Sequence, residues 1–174
     1  PMFAEEMLPA LENDITFTVC ETANIAALQA LCAAEHRTAR VHLKVDTGMG
    51  RIGVSVAEAP GMAAFIEKNC PNLFLEGIFT HLPVSDDRDP AYTRLQIQRF
   101  QDVVAAIQAA IGRRVDLVHC ANSGGVLGHE PGWLDMVRPG IMIYGFYPDA
   151  GTPRTIPLKP GLSFLTRASF IKKI

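Results

Sequence analysis

The feature that most constrains this chain is a hydrophobic period that keeps switching. Short runs built for β-structure alternate with longer stretches in which apolar residues recur every three or four positions. The β-type runs are 15–20 (ITFTVC), 40–46, 73–80 (LFLEGIFT), 115–120 (VDLVHC) and 133–138. Between the first two, Ile25, Leu28, Leu31 and Cys32 have helical spacing. Between the next two, Met62, Phe65 and Ile66 mark one helical face, with Pro60 near its first turn. Before the fourth, Ile97, Phe100, Val104, Ile107 and Ile111 form one apolar stripe, preceded by Asp89 as N-cap and Pro90 at the first position, and closed by Gly112. A helix between consecutive strands forces a crossover, so the strands run parallel. The class is α/β.

One of these strands carries chemistry at its end. In 41–54 (VHLKVDTGMGRIGV), Val41, Leu43 and Val45 alternate with His42, Lys44 and Asp46. Thr47-Gly48-Met49-Gly50 then turns the chain, and Arg51 follows. Taken alone, such a turn is a solvated loop with a surface ion pair. Other strand ends present His81, the run Ala121-Asn122-Ser123-Gly124-Gly125, and Arg138-Pro139-Gly140-Ile141. Asn122-Ser123-Gly124 and Pro139-Gly140-Ile141 offer a hydroxyl, small residues and backbone N–H groups, the donors that a phosphate needs.

LKVDTGMGRIGV, EGIFTHLPVSDD, HCANSGG and MVRPGIMIYG, in this order, resemble the signature segments of the alanine racemase family. The resemblance implies a (β/α)8 TIM-type barrel that binds pyridoxal 5′-phosphate (PLP) at the C-terminal rim of its strands. Five strands are expected here, about the last five of eight, so the missing ones are expected before Pro1. Residues 1–155 are expected to form this partial PLP-binding barrel, and 156–174 (with LSFLTRASFIKKI) the first strand of a truncated C-terminal β domain.

The implied reaction is interconversion of L- and D-alanine by two-base proton transfer, supplying D-alanine for cell-wall peptidoglycan. The implied cofactor-binding residues are His81, Asn122, Ser123, Arg138, Gly140 and Ile141. Ser123, Gly140 and Ile141 would hold the phosphate, and Arg138 would donate to the pyridine nitrogen without giving up its proton. His81 would lie beside the ring and hydrogen-bond Arg138, as an orienting group and not a base. Arg51 would bind the substrate carboxylate or position the opposite-face tyrosine. Lys44 is a possible carbamylated lysine, whose anionic form would hold Arg51. Arg51, His81 and Arg138 are thus supporting catalytic residues.

The two proton-transfer bases are expected elsewhere. No AVVKANAYGHG-like segment, which would carry the coenzyme-binding lysine, occurs, and Tyr92, Tyr144 and Tyr147 do not match the setting of the catalytic tyrosine. The fragment alone is therefore expected to be inactive. LPVSDD after His81 also departs from the family's usual phenylalanine and alanine. The alternatives are a serine racemase of the same family and a non-catalytic PLP-binding barrel concerned with PLP homeostasis.

Composition narrows the partners. A net charge of −2 gives no footprint for nucleic acid or an anionic membrane, and no apolar run approaches the ~20 residues that span a bilayer. With no visible signal peptide, a cytoplasmic protein is expected; the family resemblance implies a homodimer at full length, with alanine as its small-molecule partner. The four cysteines, Cys20, Cys32, Cys70 and Cys120, form no metal-type pair and are expected to be reduced. His42, His81 and His119 fall on three consecutive strands, but His42 lies several residues before the end of its strand and His81 at the end of its own, a height difference on the order of 10 Å at ~3.3 Å per residue. No metal site is expected.

Overall fold

In the computed structural model, which describes residues 2–173, the alternation becomes a parallel sheet backed by helices. The elements are α1 (Ala4–Glu12), β1 (Phe17–Val19), α2 (Thr22–Ala34), β2 (Ala39–Asp46), β3 (Val54–Ser55), α3 (Ala59–Asn69), β4 (Leu73–Phe79), α4 (Ala91–Ile111), β5 (Leu117–His119) and α5 (Ser123–Gly128). The strand order is β1-β2-β4-β5, all parallel, with the two-residue β3 attached to β2. This is the α/β, partial TIM-type barrel that the sequence pattern implies.

The alternation in β2 sorts its side chains. Val41, Leu43 and Val45 are fully buried in the core shared with the helices, where Ile25, Leu28, Ile66, Phe100 and Ile107 also lie. His42 and Lys44 therefore occupy the opposite face, the barrel interior. A register shift modifies β4. Val41 pairs with Leu75 but His42 pairs with Gly77, which leaves Glu76 as an extra residue. The shift keeps Leu75 and Ile78 both in the core. It also brings a backbone without a side chain beneath His42: a Cβ on Gly77 would sit 2.6–2.7 Å from the imidazole ring atoms.

Several expectations change. The helix expected near residue 90 begins at Ala91, with Pro90 as its cap residue, yet the Asp89 carboxylate still accepts the Ala91 N–H at 3.0 Å. The stretch 133–138 keeps one parallel bridge, Met136 to His119, because Leu134 turns with φ of 49° and breaks the extended run. The loop expected at 121–125 contains the start of α5, capped by the Asn122 side chain, which accepts the Gly125 N–H at 3.0 Å. Residues 156–173 form no strand, and apart from the half-buried Leu158 their large apolar side chains, Phe164 at 95% among them, are exposed. A strand's hydrogen bonds need a second strand, and these residues lie against none.

Candidate active site

The loop after β2 is organised by Asp46. Its carboxylate accepts the N–H groups of Gly48 and Met49 at 2.8 Å and of Gly50 at 2.9 Å. Burial alone would raise its pKa, but these three bonds and the Lys44 charge outweigh it and hold the carboxyl below its ordinary range. Asp46 is thus a loop-builder and has no free role in chemistry. Gly48, with φ of 138°, lies against Tyr92, whose hydroxyl donates to the Gly48 carbonyl at 2.7 Å. Replacing Asp46 with Asn puts an NH2 against one of the three amides. The expected cost is about 1–3 kcal/mol at pH 7. A carboxylate with a lowered pKa contributes stability above its ordinary titration range and loses it as pH falls. The gap between wild type and D46N in urea unfolding should therefore narrow between pH 5 and pH 3.

Lys44 is 1% exposed, and among the described residues its Nζ donates only to the Val45 carbonyl, at 3.0 Å. Burial brings its pKa down to about 8; Asp46 partly opposes this, and Arg138 and Arg51 push it further down. No ion pair joins Lys44 to Asp46 among the described residues. Arg51 is exposed on the same rim and acts on Lys44 through its charge.

Arg138 follows the Met136 bridge and points across the rim. It donates through Nη2 to the carbonyls of Thr80 at 2.7 Å and Cys120 at 3.4 Å, and through Nη1 to His119 Nδ1. Two of a guanidinium's five N–H groups stay available. The expected hydrogen bond between Arg138 and His81 is not formed; His119 accepts from Arg138 in its place. His81 remains close enough to feel the charges of Arg138, Arg51 and Lys44, which join burial in keeping its imidazole neutral. Phe79 is the platform under these groups. Its ring stacks on His119 at 4.9 Å and 8°, with Lys44 Nζ at 5.4 Å and the Arg138 guanidinium at 5.2 Å from its centroid.

A cleft of about 330 Å³ opens beside this cluster, lined by His81, Asn122, Ser123, Arg138, Gly140 and Ile141 together with Pro83, Ser85, Asp86, Gly124 and Pro148. All six residues expected to hold a cofactor thus meet in one place. Ser123 Oγ accepts the N–H groups of Gly140 at 2.9 Å and Met142 at 3.3 Å, which ties the two turns together. Ser85 donates to Asn122 Oδ1 at 2.6 Å, and Asn122 Nδ2 donates to the Leu82 carbonyl at 2.8 Å. A Cβ on Gly124 would lie 2.5 Å from Ser85 Oγ, so only glycine allows this approach.

His119, Phe79, Thr80 and Ser85 were not among the expected site residues. His119 lies in HCANSGG, where nothing local in the sequence marks its hydrogen-bond partners. It meets His42 directly, at 2.8 Å, in a hydrogen bond, while His81 lies apart from that pair. Among the described residues no cluster of three or more ligands suits a metal, and no helix is long and apolar enough to cross a membrane.

The fold and the cleft define a class: a parallel α/β barrel whose C-terminal rim gathers cations, a neutral histidine and small-residue turns. The model of the alanine racemase N-terminal domain matches residues 1–148. The alanine racemase of Chlorobaculum tepidum is 41% identical over 164 residues, 94% of this chain and 42% of the relative. That of Desulfovibrio desulfuricans is 40% identical over 164 residues, 94% of this chain and 44% of the relative. The structure of a Clostridium difficile 630 alanine racemase in complex with cycloserine superposes with a TM-score of 0.86 at 27% identity, covering 92% of this chain and 44% of that one. The chain belongs to the alanine racemase family, a family of PLP-dependent isomerases. It spans about two fifths of the length of these relatives.

Proposed function

We propose that the protein carrying this chain is an alanine racemase that uses PLP in the cleft between His81 and Ile141. The observation that carries this reading is the convergence of His81, Asn122, Ser123, Arg138, Gly140 and Ile141 on that cleft. The residues fit the coenzyme chemically. Ser123 and the turn N–H groups suit a phosphate, and Arg138, which has donors only, suits an unprotonated pyridine nitrogen. When bound, PLP withdraws electrons from the substrate Cα and makes its proton removable.

This chain's residues then do the following. Arg138 would donate to the ring nitrogen, keep it unprotonated and so limit how strongly the ring withdraws electrons. His81 would serve beside the ring as a neutral orienting group. Arg51 binds the substrate carboxylate or positions the opposite-face base. The coenzyme lysine and the catalytic tyrosine come from other segments; the chain's two-fifths share of its relatives supports this. The D-alanine would serve cell-wall peptidoglycan, in a cytoplasmic homodimer.

The test is an assay of the complete protein with PLP on L-alanine and L-serine, reading D-amino-acid formation. D-alanine should accumulate several-fold faster than D-serine. PLP binding without racemisation would favour a non-catalytic carrier and overturn the reading.

Lys44 adds a second measurable consequence. With a pKa of about 8, roughly a tenth of it is uncharged at pH 7. The free amine attacks carbon dioxide, an N–C bond forms, one proton leaves, and an anionic carbamate remains near Arg51. Protein equilibrated with 13C-bicarbonate should show one carbamate signal that is missing in K44M. No such signal in the wild type would exclude the modification.

A further inference from the structure

Below the cleft, four side chains on β2, β4, β5 and the Arg138 turn are hydrogen-bonded in series. Glu76 Oε2 meets His42 Nε2 at 3.0 Å, His42 Nδ1 meets His119 Nε2 at 2.8 Å, and His119 Nδ1 meets Arg138 Nη1. Arginine can only donate, so His119 Nδ1 must be a bare acceptor. The His119 proton then sits on Nε2 and is given to His42 Nδ1. The His42 proton in turn sits on Nε2 and is given to the Glu76 carboxylate. Every bond therefore has one allowed direction, set at one end by a group with no acceptor and at the other by a group with no proton.

We propose that Glu76, His42 and His119 are positioning residues for Arg138: they fix the His119 tautomer, so that the guanidinium is held by an acceptor and never faces a second N–H. The opposite tautomer of His119 would set N–H against N–H and drive Arg138 off the rim. The surroundings are built for this. Glu76 is the extra residue of the β4 register shift, and Arg40 Nε lies 3.8 Å from its other oxygen and supports the anion. Thr16 donates to Glu76 Oε2 at 3.4 Å. Gly77 leaves room for the His42 ring where any side chain would displace it. Phe79 stacks on His119 and fixes its plane. Burial, Arg138 and His42 push the His119 pKa down to about 3, so the ring is neutral at physiological pH.

That Arg138 addresses a pyridine nitrogen rests on the proposed function; the tautomer order does not. Ring-15N histidine NMR of the complete protein, with and without PLP, reads it directly. Both His42 and His119 should be neutral with the proton on Nε2. In E76L the His42 proton loses its acceptor and only the Arg138 end still holds the order, so the second tautomer of each ring should become measurably populated; E76Q, which keeps an acceptor oxygen, should restore the wild-type pattern. G77A, which displaces His42 without a change of charge, should also lose the order. E76L should lower kcat about tenfold, in the range typical of orienting partners, with KM for alanine within about twofold. A wild-type His119 protonated on Nδ1, or tautomer populations unchanged in both E76L and G77A, would overturn the proposal. A protein that shows the tautomer order but no racemisation would overturn the proposed function and leave this inference standing.

Discussion

Replacing Arg138 with methionine is expected to lower kcat/KM for alanine racemisation by about 10²–10³, the loss typical of deleting one preorganised donor from an active site. Methionine keeps much of the side chain's reach and apolar stem but has no N–H. The native guanidinium is aimed by three acceptors, the carbonyls of Thr80 and Cys120 and His119 Nδ1, and still has donors to spare toward the cleft it lines. Its removal also leaves the Thr80 carbonyl and His119 Nδ1 without their donor, a stability cost of about 1–3 kcal/mol. R138K should be intermediate, because an ammonium keeps the charge and loses the planar fork. Steady-state kinetics and a PLP absorbance titration on wild type, R138M and R138K check this. An R138M protein within twofold of wild type would show that Arg138 is structural only.

The second large effect concerns stability, and its sign is opposite to that of most lesions. Lys44 is buried with, among the described residues, a single hydrogen bond, to a backbone carbonyl, and no ion pair. Its pKa drops from 10.5 to about 8 in the folded chain. Between those values the unfolded chain binds a proton that the folded chain has released, so stability rises with pH across that window. Below it the charged lysine carries the full penalty, roughly 3 kcal/mol. K44M removes the penalty and forfeits one hydrogen bond of about 1 kcal/mol. K44M should therefore be about 2 kcal/mol more stable than wild type at pH 7 in CO2-free buffer. The advantage should vanish or reverse near pH 10.5. Urea unfolding at the two pH values reads it, and a K44M protein destabilised equally at both would contradict the burial argument.

Much of this architecture was legible because its signals are local. The alternation in β2 and the stripe of α4 each announce their period within a dozen residues, and Gly112 closes α4 with φ of 72°, as its position past the stripe suggests. The same is true of the six expected cleft residues, which sit in three of the matched segments. What stayed hidden depends on contacts between strands. Glu76, His42 and His119 meet because β4 carries an extra residue and the strands place their inward side chains at one level, and no spacing within a single strand encodes that. α5 is another case. SGGVLG has poor helix propensity, yet the Asn122 cap and the close packing of Gly124 on Ser85 hold it helical. α1 is held by Met7, Ala10 and Leu11 packing into the core, and the signal that hides it is Pro9, which sits inside the helix.

The central claim is that the rim cleft between β4, β5 and the Arg138 turn holds the coenzyme. A crystal structure of the complete protein with PLP tests it most directly. The phosphate should lie against Ser123 and the Gly140–Ile141 turn, and the pyridine nitrogen should face Arg138. A phosphate bound away from Ser123, or a ring nitrogen facing any other group, would contradict it.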